Sequence, residues 1–235
     1  MIPASAESTP VDVPKIPWVE RMDADMALRM CPLLETDRLA LEPLGERHAD
    51  EFFENLQDDA LYQWISMDKP ASLQWLRGHW RGIESRRAPD CLTAWPTWAL
   101  RRKSDGVCLG RVDAEITLGL QASNVGYYLF PAHWGQGYAT EAVRAVTHHL
   151  LSQGVYRLVA TVTAGNTASE RVLQKAGYTF VRVLVGNDII RGEPMDDAEY
   201  VRHEIGTDKP PDVTFLPLTN CPLSPKSCSV AEGRF

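Results

Sequence analysis

Between positions 111 and 118 the chain alternates without a break. Arg111, Asp113, Glu115 and Thr117 occupy one face of an extended segment, and Val112, Ala114, Ile116 and Leu118 the other. The pattern predicts a half-buried strand over 107–118, joined through the Asp105-Gly106 turn to a strand over 98–102. A denser apolar run at 125–130 has the length and aromatic content of a buried strand, and Pro131 ends it. Ala139, Ala142, Val143, Val146 and Leu150 then recur every three or four residues, a helix stripe closed by Gly154. Beyond it the pattern predicts a strand over 157–163, a helix over 165–176 stopped by Gly177, and strands over 179–185 and 199–205. Upstream it predicts a strand over 38–42 and helices over 48–57 and 72–87, the latter N-capped by Ser72. Five tryptophans, Trp64, Trp75, Trp80, Trp95 and Trp98, crowd this half. Core packing is the expectation for most, with one or two left to line an entrance.

The flanks read differently. Residues 1–32 carry five prolines and form a loose N-terminal arm with at most a helical turn set over 19–29. Residues 33–206 hold all the periodic segments and form one domain; 207–235 are a proline-rich tail without periodicity. At 235 residues with 44% hydrophobic content, one well-buried domain with appendages is affordable. The net charge of −7 leaves no basic surplus for nucleic acid and serves solubility as readily as a cationic partner. Five cysteines at irregular spacing, without C-x-x-C or a Cys/His cluster, argue for reduced thiols and no metal site. No signal-like start and no membrane-length apolar run appear, so a cytoplasmic protein without membrane partners, monomeric or homodimeric, is expected.

Chemistry enters at the junction of the 125–130 strand and the following helix, where Gly135 and Gly137 stand. A strand running through a glycine loop into a helix start offers free backbone N–H groups and a positive dipole end, which together attract a phosphate. G-x-x-x-x-G-K-[ST] is absent. The dinucleotide fingerprint also fails, because Thr140 replaces its third small residue and the next strand ends without an acid. The stretch W-G-Q-G-Y-A-T-E-A instead resembles the acyl-CoA pyrophosphate loop of the GCN5-related N-acetyltransferase (GNAT) superfamily, with Gly137 and Ala139 as its small residues. Trp134 stands where the general pattern prefers Gln or Arg, and the ribosomal-protein N-acetyltransferase branch often has an aromatic there. T-x-R-L-x-L-x-P-L at 36–44 resembles the opening of the same branch.

A second motif lies one strand later. T-A-G-N-T-A-S-E-R-V-L-Q-K-A-G-Y, at 163–178, resembles the family's N-x-x-S-x-x-V/L-x-x-K-x-G-F/Y element. Thr167-x-x-Glu170 also reads as a capping box, which any helix could own. The resemblance spans 33–206. It implies an α/β (α+β) fold: a single GNAT-like domain whose central, mixed but mostly antiparallel sheet of roughly six or seven strands splays at the acyl-CoA site between helices. It also implies acetyl-CoA as acyl donor, held by the backbone near Leu129 and Phe130 and by Trp134, Gly135, Gln136, Gly137, Tyr138, Ala139 and Thr140. Asn166 and Ser169 would meet the pantetheine arm, and Arg171 and Lys175 could approach the phosphates or simply face water.

Transfer to an amine requires a neutral nucleophile, a polarised thioester carbonyl and a protonated leaving thiolate. The family's direct attack in a ternary complex needs no covalent nucleophile. Glu115, on the polar strand face, is the candidate base, acting through water; a solvated strand glutamate is its plain alternative. Many relatives place a tyrosine acid where this chain has Leu173, so Ser169 is the substitute, with Tyr127 and Tyr128 behind it. The branch implies protein N-terminal amines as acceptors, and small amines such as antibiotics, polyamines or amino acids are the alternative. A non-catalytic acyl-CoA-binding module stays open, as does another acyl group.

Overall fold

The computed structural model describes residues 21–203. The chain runs α1 (Ala24–Arg29), β1 (Leu34–Glu35), β2 (Leu39–Pro43), α2 (Ala49–Phe53), α3 (Leu73–Ile83), β3 (Thr93–Ala94), β4 (Thr97–Arg102), β5 (Cys108–Thr117) and β6 (Gln121–Leu129). It continues through α4 (Tyr138–Ser152), β7 (Arg157–Thr163), α5 (Thr167–Lys175), β8 (Thr179–Ile190) and β9 (Glu193–His203). Among the described residues all nine strands join one sheet in the order β1-β2-β4-β5-β6-β7-β9-β8, with β3 pairing β5 off this path. Two of the nine, β1 and β3, have only two residues each, so the main strands are those the sequence predicts.

The alternation in β5 decides the layering. Val112, Ala114 and Ile116 join Val125, Leu129 and the α4 stripe of Ala142, Val143, Val146 and Leu150 in the larger core. On the other sheet face Ala99, Cys108, Tyr128 and Phe130 pack beneath α2 and α3 with Phe52, Leu76, Trp80 and Ile83. Phe52 stacks edge-on against both Trp80 and Phe130 at 5.1 Å. Trp80 and Trp98 are fully buried, as core packing requires, whereas Trp75 is exposed and stacks on His79. Ser72 caps α3 through the Trp75 amide at 3.1 Å.

Several elements depart from expectation, among them β6, which starts at Gln121, β9, which starts at Glu193, and α3, which ends at Ile83. The 48–57 helix is short: α2 is flanked by 3-10 turns at Glu46–His48 and Asn55–Gln57. β8 continues to Ile190 because an irregularity between Leu184 and Asp188 lets pairing resume after the alternation breaks. The helix of the second motif is capped by Asn166, whose Oδ1 accepts from the Ser169 amide at 3.2 Å, so the cap lies one residue before Thr167. The domain boundary also moves. Met22, Ala27, Met30 and Cys31 are buried in the larger core, so 21–32 complete the domain instead of forming an arm. The remainder of that arm and the tail lie outside the described residues. The proline content and missing periodicity of 1–20 predict that deleting them leaves the melting temperature unchanged. Deleting through position 30 exposes a core normally covered by two methionines, each worth about 2–5 kcal/mol on truncation, and thermal melts should show a severe loss.

The parallel pair β6–β7 positions the site. These strands pair only at Gln121 with Arg157 and Ala122 with Leu158, although β7 stays paired with β9 along its whole length. Beyond Ala122 the sheet therefore opens into a wedge.

Candidate active site

Along β6 one edge is committed to β5. The Phe130 amide donates to the Leu109 carbonyl at 2.8 Å, and the same antiparallel register gives the Tyr128 and Gly126 amides to β5. Alternation turns the amides of Val125, Tyr127 and Leu129 the other way, into the wedge. Leu129 is thus available as a polarising donor. Phe130 is not, because its hydrogen is spent inside the sheet.

At the end of the wedge lies the glycine loop. Gly135 and Gly137 have φ of 74° and 82°, a conformation glycine adopts without penalty. Gly137 is the N-cap of α4 and has no side chain to offer, so the amides of Tyr138, Ala139 and Thr140 lack the partner that a Ser or Asp cap supplies. A first turn of this kind can receive an anion. Trp134 remains 46% exposed, and its indole N–H donates to the Leu129 carbonyl at 2.6 Å, tying the loop to the strand. Gln136 is exposed and donates to the Ala132 carbonyl.

Sequence reasoning missed the residue that braces this loop. Arg38, on the turn before β2, stacks on the Tyr138 ring at 4.4 Å and donates to the Gln136 carbonyl at 3.1 Å. Its backbone amide and Nε donate to Glu141 at 2.9 and 2.6 Å, and Thr36 adds a third bond at 2.6 Å. Burial works against charge on Glu141, yet these bonds hold its carboxyl below the usual range. The signal was in hand, since Thr36 and Arg38 belong to the T-x-R-L stretch. Arg38→Ala should raise KM for acetyl-CoA by about 5-fold, the worth of one exposed ion pair plus one stacked cation, with kcat changed less. Initial rates at varied donor concentration check this.

Midway along the wedge is a cavity of about 230 Å³. Its walls include Arg111 and Asp113 from β5, Asn124 and 125–128 from β6, Thr161 and Thr163 from β7, Asn166 and Ser169 at the start of α5, and Asp197 from β9. Residues 64–67 close over it, held where the Thr163 hydroxyl donates to the Trp64 carbonyl at 3.3 Å. Arg111 is buried and donates through Nε to Asp113 at 3.0 Å. Tyr127 bridges the wedge, its hydroxyl donating to the Ser169 carbonyl at 3.0 Å. Tyr128 is buried, and among the described residues its hydroxyl has no hydrogen-bond partner.

Of the sequence-predicted residues, Asn166, Ser169, Tyr127 and Tyr128 line this cavity. Glu115 does not; it lies two residues along β5 from Asp113 and on the same sheet face, opposite Asn124. Burial and the charge of Asp90 raise its pKa, against a hydrogen bond from Ser123. Arg171 and Lys175 are exposed on α5, and the Lys175 carbonyl accepts two bonds from Arg144. Leu173 is fully buried, so a tyrosine's position is taken by core.

A splayed sheet, free strand amides along the wedge and an anion cradle at its end together define an acyl-CoA-dependent transferase. Residues 38–179 match the family described as Acetyltransferase (GNAT) domain, and the chain belongs to that family. It is an acyltransferase with acetyl-CoA as its donor substrate. Among curated proteins it is similar to the uncharacterized N-acetyltransferase YoaA of Bacillus subtilis, at 26% identity over 73% of this chain and 96% of YoaA. Among solved structures it resembles the ribosomal-protein-S5-alanine acetyltransferase of Vibrio fischeri, with TM-score 0.65 and 16% identity over 74% of this chain and 97% of that one. RimJ of Mycobacterium smegmatis, solved with a CoA-disulfide, gives TM-score 0.64 and 20% identity over 73% and 85%. At these identities the two structures speak for the fold alone. Among the described residues no helix is long and apolar enough to cross a membrane.

Proposed function

We propose that this enzyme moves the acetyl group of acetyl-CoA directly to a primary amine within a ternary complex. The observation that carries the reading is the wedge itself, with a phosphate cradle at its end and a polar cavity along its side. The Leu129 amide polarises the thioester carbonyl, and the amide group of Asn166, its oxygen committed to capping α5, donates to the pantetheine arm. Glu115 is the base, acting through water. Asp113 is nearer the cavity, but it is committed to Arg111, whereas burial keeps the Glu115 carboxyl easier to protonate than an ordinary one. Ser169 or Tyr128 returns a proton to the leaving thiolate. The similarity to ribosomal-protein acetyltransferases supports a protein N-terminal amine as acceptor. The small size of the cavity supports a small-molecule amine instead, and we favour it because about 230 Å³ is below the usual volume of a drug-sized pocket. Initial rates with both substrates varied test the mechanism: intersecting lines are expected, and parallel lines would require a covalent acetyl-enzyme.

A further inference from the structure

The outer edge of β2 is open where β1 stops. β1 pairs only Leu34 with Leu41 and Glu35 with Ala40, so among the described residues no strand lies beyond Glu42 and Pro43 on that side. A cleft of about 710 Å³ opens there, walled by Leu33, Glu42, Pro43, Arg47, Glu84 and Arg86. Three strand spacings, roughly 14 Å, separate β2 from β6, so this cleft is no part of the wedge.

Arg86 is the residue the fold does not explain. It is only 5% exposed, and its φ of 57° places an arginine in the left-handed region after α3. Its backbone is fixed: its amide donates to the Ile83 carbonyl at 2.9 Å, and its carbonyl accepts from the Trp95 amide at 2.7 Å. Among the described residues its guanidinium makes one long bond, from Nη1 to the Ile83 carbonyl at 3.4 Å, and no ion pair. Nε and Nη2 have no partner there. With that same edge Arg77, Arg81 and Arg102 each grip a carboxylate. Unlike the Nε of Arg87 and of Arg202, the edge is not sealed from solvent, so it opens onto the cleft. Burial works against the charge and lowers the pKa of Arg86, yet a guanidinium stays protonated. A buried cation without a counterion is costly.

The remaining charges leave one carboxylate over. Glu42 is held by Arg101 at 2.7 Å and by His48 at 2.9 Å, with Arg47 at 3.6 Å, and Arg101 also holds Glu51. Arg47 and Arg101 thus balance Glu42 and Glu51. Glu84 accepts from the Glu46 amide at 2.8 Å and, among the described residues, is in no ion pair. One cation and one carboxylate therefore line the same cleft without meeting, beside the apolar Leu33 and Pro43. We propose that the cleft binds a free α-amino acid with an apolar side chain, its carboxylate on the Nε–Nη2 edge of Arg86 and its ammonium on Glu84. No bond is made or broken. The site is separate from acetyl transfer and does not rest on the acceptor reading.

Titration calorimetry of the full chain with L-leucine, L-valine and L-phenylalanine tests this. Two analogues of leucine accompany them: 4-methylpentanoate lacks the ammonium, and 3-methylbutylamine lacks the carboxylate. At least one amino acid should bind at a single site, and the leucine analogues should bind at least about 10-fold more weakly than leucine, as loss of a charge-assisted hydrogen bond implies. Arg86→Gln should weaken the amino acid by a similar factor, and Glu84→Gln should remove the advantage of leucine over 4-methylpentanoate. Acetyl-CoA should bind both variants as it binds the native chain. If Arg86→Gln fails to fold, Glu84→Gln, at an exposed position, decides alone. No binding of any of the three amino acids overturns the proposal. So does binding that both substitutions leave intact, as it would be if the amino acid entered the wedge. Native affinity for 4-methylpentanoate or inorganic phosphate equal to that for leucine also overturns it, because the ammonium or the carboxylate would then go unread.

Discussion

Gly137→Val is expected to abolish measurable binding of acetyl-CoA while the domain stays folded. Space is not the obstacle: a Cβ at Gly137 would meet only the Arg38 guanidinium, at an ordinary 3.5 Å. The backbone is the obstacle. With φ of 82°, Gly137 sits in the left-handed region, which costs an L residue roughly 1–2 kcal/mol and suits a β-branched one worst. A valine would turn the loop away from that conformation and crowd the approach of the pyrophosphate. Losing two amide-to-phosphate hydrogen bonds at about 1.5–3 kcal/mol each weakens binding by roughly 10²–10⁴-fold. Titration calorimetry alongside a thermal melt checks both halves. Affinity close to the native value would remove the loop from the donor site.

Glu115→Gln is expected to lower kcat by about 10²–10⁴-fold and to change acetyl-CoA binding little. The amide matches the carboxylate in size, so packing on β5 survives and basicity alone is lost. The sign of the pH dependence follows from protonation. The base works when deprotonated, so the native rate rises with pH through the ionisation of Glu115, which burial and Asp90 place above the ordinary carboxylate value. The Gln variant should lack that limb. Asp113→Asn is the control. If it, and not the Glu115 variant, removes the limb, the base is the carboxylate paired with Arg111.

Much of the fold was legible because local pattern and tertiary environment agree. β7 runs from Arg157 to Thr163 as its residues predict, since it is a buried strand paired along its length with β9. The α4 stripe and the Gly137 helix start follow from spacing and a required backbone conformation. Legibility failed where burial does not follow a period. Phe180, Val181 and Val183 are all about half exposed on the edge strand β8, so no alternation marked its extent. α1 has only six residues, too few for a stripe, and Met22 reaches the core from outside any regular element.

The site divided along the same line. The cradle is local in sequence and could be read. The cavity is not: Asp113 and Asp197 come together only through the order β5-β6-β7-β9 and the register of each pair. Nothing near Arg38 announces Glu141, 103 residues away. The alternation in β5 identified the polar face correctly, but it could not tell which acid on that face meets the cavity. The Phe130 amide was similarly beyond reach, because strand register decides which edge an N–H faces.

The most direct measurement is thiol release from acetyl-CoA by the purified chain, followed together with the mass of the amine acceptor. Amine-dependent release, with one acetyl group gained on nitrogen for each thiol freed, is the expected result. Tight binding of acetyl-CoA with no thiol freed by any amine would contradict it and leave a binding module in place of an enzyme.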